Sequence, residues 1–141
     1  MNTSIQYFRN PAAEITYYPA GYLRTDWRSM AAEPAELRAI YEHVLQAMQR
    51  YQVTALLFVH QQPEAIPSSV REWLVANWIP RAIQQGKYQR CAIVESSSAE
   101  AIQVTQAIGR QIDGTLAYAF FADVEAATTW LLHSAKAALV A

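Results

Sequence analysis

The sequence is poor in the residues that most often carry chemistry or cross-links. One cysteine, Cys91, among 141 residues excludes an intramolecular disulfide. The four glycines form no phosphate-binding loop, and no G-x-S-x-G motif is present. The three histidines are far apart and have no partner at metal-ligand spacing. We therefore expect no metal, no cofactor and no catalytic centre, so that the protein is not an enzyme.

Charge and long apolar runs are also scarce. Charged residues make up 16% of the chain, the net charge is −1, and no run of Lys or Arg occurs. This composition argues against a nucleic-acid partner, because phosphate contacts need clustered basic side chains. The longest apolar run, "ALLFV", is far shorter than the ~20 residues that span a membrane. The start of the chain lacks the features of a signal peptide. We expect a cytoplasmic protein without a membrane span.

Apolar residues are plentiful, at 52% of the chain, and their spacing predicts one α/β domain over residues 1–141. Three short β-rich segments separated by turn signals come first, and strands then alternate with helical patterns. The pattern predicts a mixed, mostly parallel sheet with antiparallel N-terminal strands and about four to five helices. The predicted strands are 4–9, 14–18, 22–27, 53–59, 88–96 and 115–121.

The stretch "IPSSVREWLVANWIPRAIQQG", residues 66–86, predicts an interrupted helix. Ser69 and Glu72 match an S-x-x-E capping box, and Ser97 begins a second such box at 97–100. Pro80 lacks a backbone N–H, so a break near residues 78–79 is expected. Gly86 is expected to end the helix in a left-handed conformation.

Ligands of open α/β sheets bind beyond the carboxyl ends of the parallel strands. The residues at these strand ends include His60, Gln61 and Ser96, which are candidates for contact with a ligand or partner. His60 is either a partly exposed loop residue or a group that switches protonation near neutral pH. An enzyme would need His60 within hydrogen-bond reach of Glu64 or Glu95 as acid and base.

Two serines and two tryptophans complete the candidate binding residues. Ser68 and Ser69 either cap the following helix or present a hydroxyl for phosphorylation at its positive end. Trp78 either packs in the core or, with Trp27, lines a groove for a partner chain or a small apolar ligand. A ligand carrier would need a ring-lined pocket of at least ~300 Å³.

The chain also resembles a known family. The resemblance lies in three stretches, the long helix ending "QRYQV", the following "ALLFVHQQPEAIPSSVREWLVANWIPRAIQQGKYQRCAIVES" and the closing "YAFFADVEAATTWL". They resemble SpoIIAA-like (STAS-type) proteins, in particular small stand-alone members of Bacteroidetes-type bacteria. The matching residues are Trp73, Leu74, Asn77, Trp78, Pro80, Arg81, Ala82, Gly86, Ala92, Val94, Phe121, Glu125, Ala126, Trp130 and Leu131.

This resemblance implies a non-enzymatic binding or regulatory module that acts through protein–protein contacts, with another protein or with itself as a homodimer. The alternative is a carrier of a small apolar or amphipathic ligand, which the four Trp and eight Tyr residues favour. The lipid-transfer CRAL-TRIO domains share the fold and have a larger apolar cavity, for which 141 residues leave little spare material. In the branch that antagonises anti-sigma factors, a phosphorylated serine follows an Asp after the central strand. This chain has His60 where that Asp is expected and no "DSSG" motif.

Overall fold

A six-stranded mixed sheet organises the fold. The computed structural model describes residues 3–112 and 114–140, without the side chains of 134–140. The strands are β1 (Ile5–Arg9), β2 (Ala13–Tyr18), β3 (Tyr22–Trp27), β4 (Ala55–His60), β5 (Arg90–Val94) and β6 (Ala117–Phe121). The helices are α1 (Pro34–Tyr51), α2 (Ser68–Trp73), a π-helical turn (Leu74–Trp78), α3 (Ile79–Gly86), α4 (Ala99–Gln111) and α5 (Val124–Val140). No helix in these ranges is both long and apolar enough to cross a membrane.

The strands lie side by side in sequence order, β1 to β6. β1, β2 and β3 pair antiparallel, and β3 to β6 pair parallel, which confirms the predicted mixed α/β sheet. Right-handed crossovers that always step in one direction place their helices on one face of the sheet. α1, α2, α3 and α4 are these crossover helices, and α5 returns along the opposite face.

Two apolar clusters, one on each face, cover the central strand β4. All six residues of β4 are buried. Leu56 and Phe58 belong to the larger cluster, which the crossover helices cover, and Leu57 and Val59 belong to the cluster beneath α5. The run "VTALLFV" shows no polar alternation because both faces of this strand are dry.

Apolar residues recur at three- and four-residue steps from Leu37 to Met48, which predicts one core-facing side of helix α1. The residues predicted to face the core are all buried, and they are Leu37, Ile40, Tyr41, Val44, Leu45 and Met48. The helix begins with Pro34 at its first position, and the backbone N–H of Glu33 donates to Glu36 Oε1 at 3.4 Å. This pairing satisfies a donor at the helix start.

The predicted break near residue 79 is wrong, because the helix continues through Pro80 by widening for one turn. The N–H of Ile79 donates to the carbonyl of Leu74, five residues back. A proline ring clashes with the carbonyl four residues before it, here that of Ala76. The π-helical turn moves that carbonyl away, so the chain keeps helical angles on both sides of Pro80.

Replacement of Pro80 by alanine should change the free energy of unfolding by less than about 1 kcal/mol, because Pro80 is exposed and alanine adapts to either type of turn. Chemical denaturation measures this value, with Gln84→Ala, an exposed change on the same helix, as the control. A loss of several kcal/mol would show that packing depends on the wide turn.

Three predicted helix ends are corrected by the structure. The Ser69 box does not form, since α2 already begins at Ser68, with Pro67 before it and no side-chain cap. The cap of α4 is Ser98 rather than Ser97, and its hydroxyl accepts from the N–H of Ala101 at 3.3 Å. Runs of two or three serines offer several registers for one cap motif, and local sequence alone does not choose between them.

The third correction concerns the end of α3. Gly86 is the last helical residue, and the left-handed residue is Lys87, with φ of 58°. A Cβ atom on Gly86 would lie 2.9 Å from Leu45 Cδ1 and 3.1 Å from Met48 Cε. Glycine at this position therefore allows α3 to approach α1 closely, rather than serving as the cap.

Candidate functional site

An apolar cavity of about 70 Å³ lies between the sheet and the crossover helices. Its wall comes from β4, β5 and β6 below and from the helices and the loop before α2 above. The lining residues are Tyr41, Phe58, His60, Ile66, Leu74, Trp78, Ile79, Tyr88, Cys91, Ile93, Thr105, Ile108, Gly109, Ile112 and Tyr118. Six of these side chains are aromatic or imidazole rings, as the carrier hypothesis requires, but the volume is below the ~300 Å³ that it names.

The lining is elongated along the strand direction. At one end lies His60, the last residue of β4. At the other end lie Cys91 and Tyr118. In the sheet, Cys91 of β5 is paired with Tyr118 of β6 on one side and with Leu56 of β4 on the other. His60 is four residues beyond Leu56, so the two ends are about 13 Å apart at ~3.3 Å per residue.

The geometry around His60 identifies which ring nitrogen carries the proton. Gln62 Nε2 lies 3.2 Å from both His60 Nδ1 and the carbonyl oxygen of Glu64. A carbonyl oxygen can only accept a hydrogen bond, so the Gln62 atom that lies next to the Glu64 carbonyl is assigned as the amide nitrogen. The second N–H of that nitrogen then donates to His60 Nδ1. Nδ1 is therefore an acceptor, and in the neutral ring the proton is on Nε2.

His60 is a buried strand residue, so the interpretation as a partly exposed loop residue is wrong. Its exposed fraction is 7%, and its ring stacks parallel to that of Trp27 with centroids 6.3 Å apart. Burial lowers the pKa of His60 to about 4. The imidazole is consequently uncharged at neutral pH.

The far end of the cavity is closed by a thiol and a phenol. Tyr88 and Cys91 both line the cavity, and both side chains are buried. Burial raises the pKa of Cys91 to about 12, so the group is a protonated thiol at neutral pH. Burial also raises the pKa of Tyr88 well above 10. This end of the cavity is therefore uncharged as well.

α4 forms the cavity wall that is least anchored to the core. Of its 13 residues it buries two, Ala101 and Gly109, whereas α1 buries seven of 18. Gly109 lies against the ring of Tyr118, and a Cβ there would come within 2.8 Å of Tyr118 Cε2. The half-buried residues Thr105 and Ile108 face the cavity.

The two carboxylates named for an acid–base pair are engaged away from His60. Glu64 Oε1 accepts from the backbone N–H of Met30 at 2.8 Å. Glu95 Oε1 accepts from the side-chain amide of Gln106 at 3.1 Å. In the part of the chain that the structure describes, no three His, Cys, Asp or Glu residues lie close enough to hold a metal ion.

The remaining candidate residues divide into exposed and buried groups. Gln61 is exposed directly after β4, and Ser68 and Ser69 are exposed at the start of α2. Ser96 is buried and donates to the carbonyl oxygen of Gln62 at 2.7 Å, which ties the loop after β5 to the loop after β4.

Both candidate tryptophans lie in the core rather than along an open groove. Trp27 is 0% exposed and Trp78 is 1% exposed. Trp78 lines the cavity and donates to the carbonyl oxygen of Tyr41 at 2.6 Å. In the described part of the chain, two buried polar atoms beside His60 have no hydrogen-bond partner, Trp27 Nε1 and Gln62 Oε1.

The structure therefore brings together His60 and Trp78 from the predicted set, and it adds residues that sequence reasoning missed. Tyr88, Thr105 and Tyr118 line the cavity from three different elements. Gly109, inside an otherwise helical pattern, was an available signal, because an isolated glycine in a helix often marks a close approach.

Comparison of the chain with protein-family models, with curated proteins and with solved structures gave no match.

Proposed function

We propose that this protein is a non-enzymatic, STAS-like binding module and that its ligand is a small apolar or amphipathic molecule held in the cavity. The observation that carries this proposal is a ring-lined apolar cavity whose two ends bear uncharged polar groups. Such a combination of apolar wall and few polar groups is typical of small-molecule sites.

The small resting volume of about 70 Å³ means that a longer ligand enters only when the wall moves. Displacement of α4 exposes little core, since its only fully buried residues are Ala101 and Gly109, whereas α1 buries seven residues. Displacement of a helix with a shallow apolar contact costs less free energy than displacement of one that buries many large side chains.

The proposal is tested by filling the cavity from the α4 side. Thr105→Leu adds apolar volume to the lining, and the Thr105 hydroxyl it removes donates to carbonyl oxygens of its own helix, those of Ala101 and Ile102. Thr128→Leu is the matched control, because Thr128 is also half-buried and bonds to the carbonyl of Val124, but on α5, across the sheet.

With octanol as the probe and titration calorimetry as the measurement, Thr105→Leu should weaken binding at least tenfold. Thr128→Leu should bind octanol as the unaltered protein does. Backbone amide shifts in the NMR spectrum should concentrate in α4 and β6. Equal binding by all three proteins, or no binding by the unaltered protein, would overturn a ligand site in this cavity.

A second candidate function is contact with another protein or a second copy of this chain through strand β1. β1 is an edge of the sheet, and its Ile5 is 46% exposed, the one large hydrophobic side chain so exposed among the described residues. Exposed edge strands offer unpaired N–H and C=O groups to a partner strand. Native mass spectrometry of the protein and of Ile5→Lys tests this candidate, and a monomer at all concentrations in both would remove the homodimer.

A further inference from the structure

We propose that the ligand is an elongated, uncharged molecule with an apolar tail, and that its one polar group accepts a hydrogen bond from Nε2 of His60. The inference rests on the proposed function and specifies the chemical class of the ligand and its orientation in the cavity.

The absence of charge from the wall sets the first requirement. Among the residues that line the cavity in the described part of the chain, none is Asp, Glu, Lys or Arg. An ionised headgroup would lose its hydration there without gaining a counter-charge, which opposes its binding. Carboxylates and ammonium groups are therefore disfavoured, and alcohols, ketones and esters are favoured.

The tautomer of His60 sets the second requirement. Its Nδ1 is held by the Gln62 amide, which is itself fixed by the carbonyl oxygen of Glu64. Nε2–H is the donor of His60 that the Gln62 contact leaves available, and His60 is one of the residues that line the cavity. The matching ligand atom is an acceptor, such as a hydroxyl or carbonyl oxygen.

The other polar side chains fix the orientation. Trp78 Nε1 already donates to the carbonyl oxygen of Tyr41, and the Thr105 hydroxyl donates to carbonyl oxygens of its own helix. Between the two ends lie apolar side chains, including Phe58 and Ile93. The ligand orientation that uses His60 Nε2–H puts the polar head at the His60 end and points the tail along the strands toward Cys91, about 13 Å away.

The test compares four probes of equal chain length, octane, octanol, octanoate and octylammonium, by titration calorimetry at pH 7.5. The unaltered protein should bind octanol at least tenfold more tightly than octanoate or octylammonium, and about tenfold more tightly than octane. In His60→Phe, which keeps a ring of similar shape without the N–H, octanol and octane should bind equally.

A second variant separates loss of the donor from general damage to the site. His60→Gln retains an amide N–H near the place of Nε2, so it should restore part of the preference for octanol over octane. The ring ¹⁵N signals of His60 should shift on octanol binding in the unaltered protein and stay unchanged with octane.

The outcomes distinguish this inference from the function on which it rests. If octane and octanol bind equally to the unaltered protein, the cavity holds apolar molecules but His60 does not select their head. If octanoate or octylammonium binds most tightly, the uncharged class is wrong. If none of the four probes binds, both the ligand site and the inference fail.

Discussion

Replacement of Trp78 by alanine should lower the free energy of unfolding by about 3–5 kcal/mol, the usual cost of truncating a buried tryptophan. Trp78 is 1% exposed and packs edge-on against Tyr41 and Tyr88, with ring centroids 5.2 and 5.9 Å away. The residue joins the π-helical turn to α1, so its loss leaves a void next to the existing cavity. Chemical denaturation monitored by circular dichroism measures the change.

Trp73 provides the control in the same helical stretch. Trp73 is half-buried at the margin of the same apolar cluster, and the centroid of its ring is 6.2 Å from that of Tyr41. Trp73→Ala should therefore lower the free energy of unfolding distinctly less than Trp78→Ala does. Trp78→Phe keeps one aromatic ring but removes part of the indole volume and the N–H that donates to the carbonyl oxygen of Tyr41, and a cost of about 1–3 kcal/mol is expected, below that of Trp78→Ala. Equal losses for Trp73→Ala and Trp78→Ala would contradict the central role of Trp78.

The elements that local periodicity determines were predictable from the sequence. The three- and four-residue spacing from Leu37 to Met48 identified the buried face of α1, and the unbroken apolar run at 55–59 identified a strand covered on both sides. These signals are strong because several apolar side chains in each element fit the same spacing.

Features that depend on contacts between distant segments were not predictable in the same way. The wide turn before Pro80 is one of several ways in which a helix accommodates a proline, and sequence does not choose among them. The role of Gly86 depends on Leu45, some forty residues earlier. Likewise, the rule for strand ends located His60, but its burial and its Gln62 partner arise from the return of the loop after β4.

His60 should cause the largest change of folding stability with pH. In the unfolded chain a histidine has a pKa of about 6.5, whereas burial lowers the pKa of His60 in the folded protein to about 4. Above pH 6.5 the ring is neutral in both states, and the folded protein has its full stability. Between pH 6.5 and 4 the unfolded state binds a proton that the folded state does not, so stability falls as the pH falls.

This loss should amount to about 3 kcal/mol by pH 4, since each unit of pKa difference is worth 1.36 kcal/mol. Denaturation at pH 7.5 and pH 4.5 should show most of it in the unaltered protein, with His60→Gln losing less stability over the same interval. The other titratable groups are common to both proteins, so they cancel in the difference. His133→Gln, a change at an exposed position, should keep the full dependence. If His60→Gln loses as much stability as the unaltered protein between these pH values, then His60 is not held as a neutral, buried donor, and the argument for an uncharged ligand loses its physical basis.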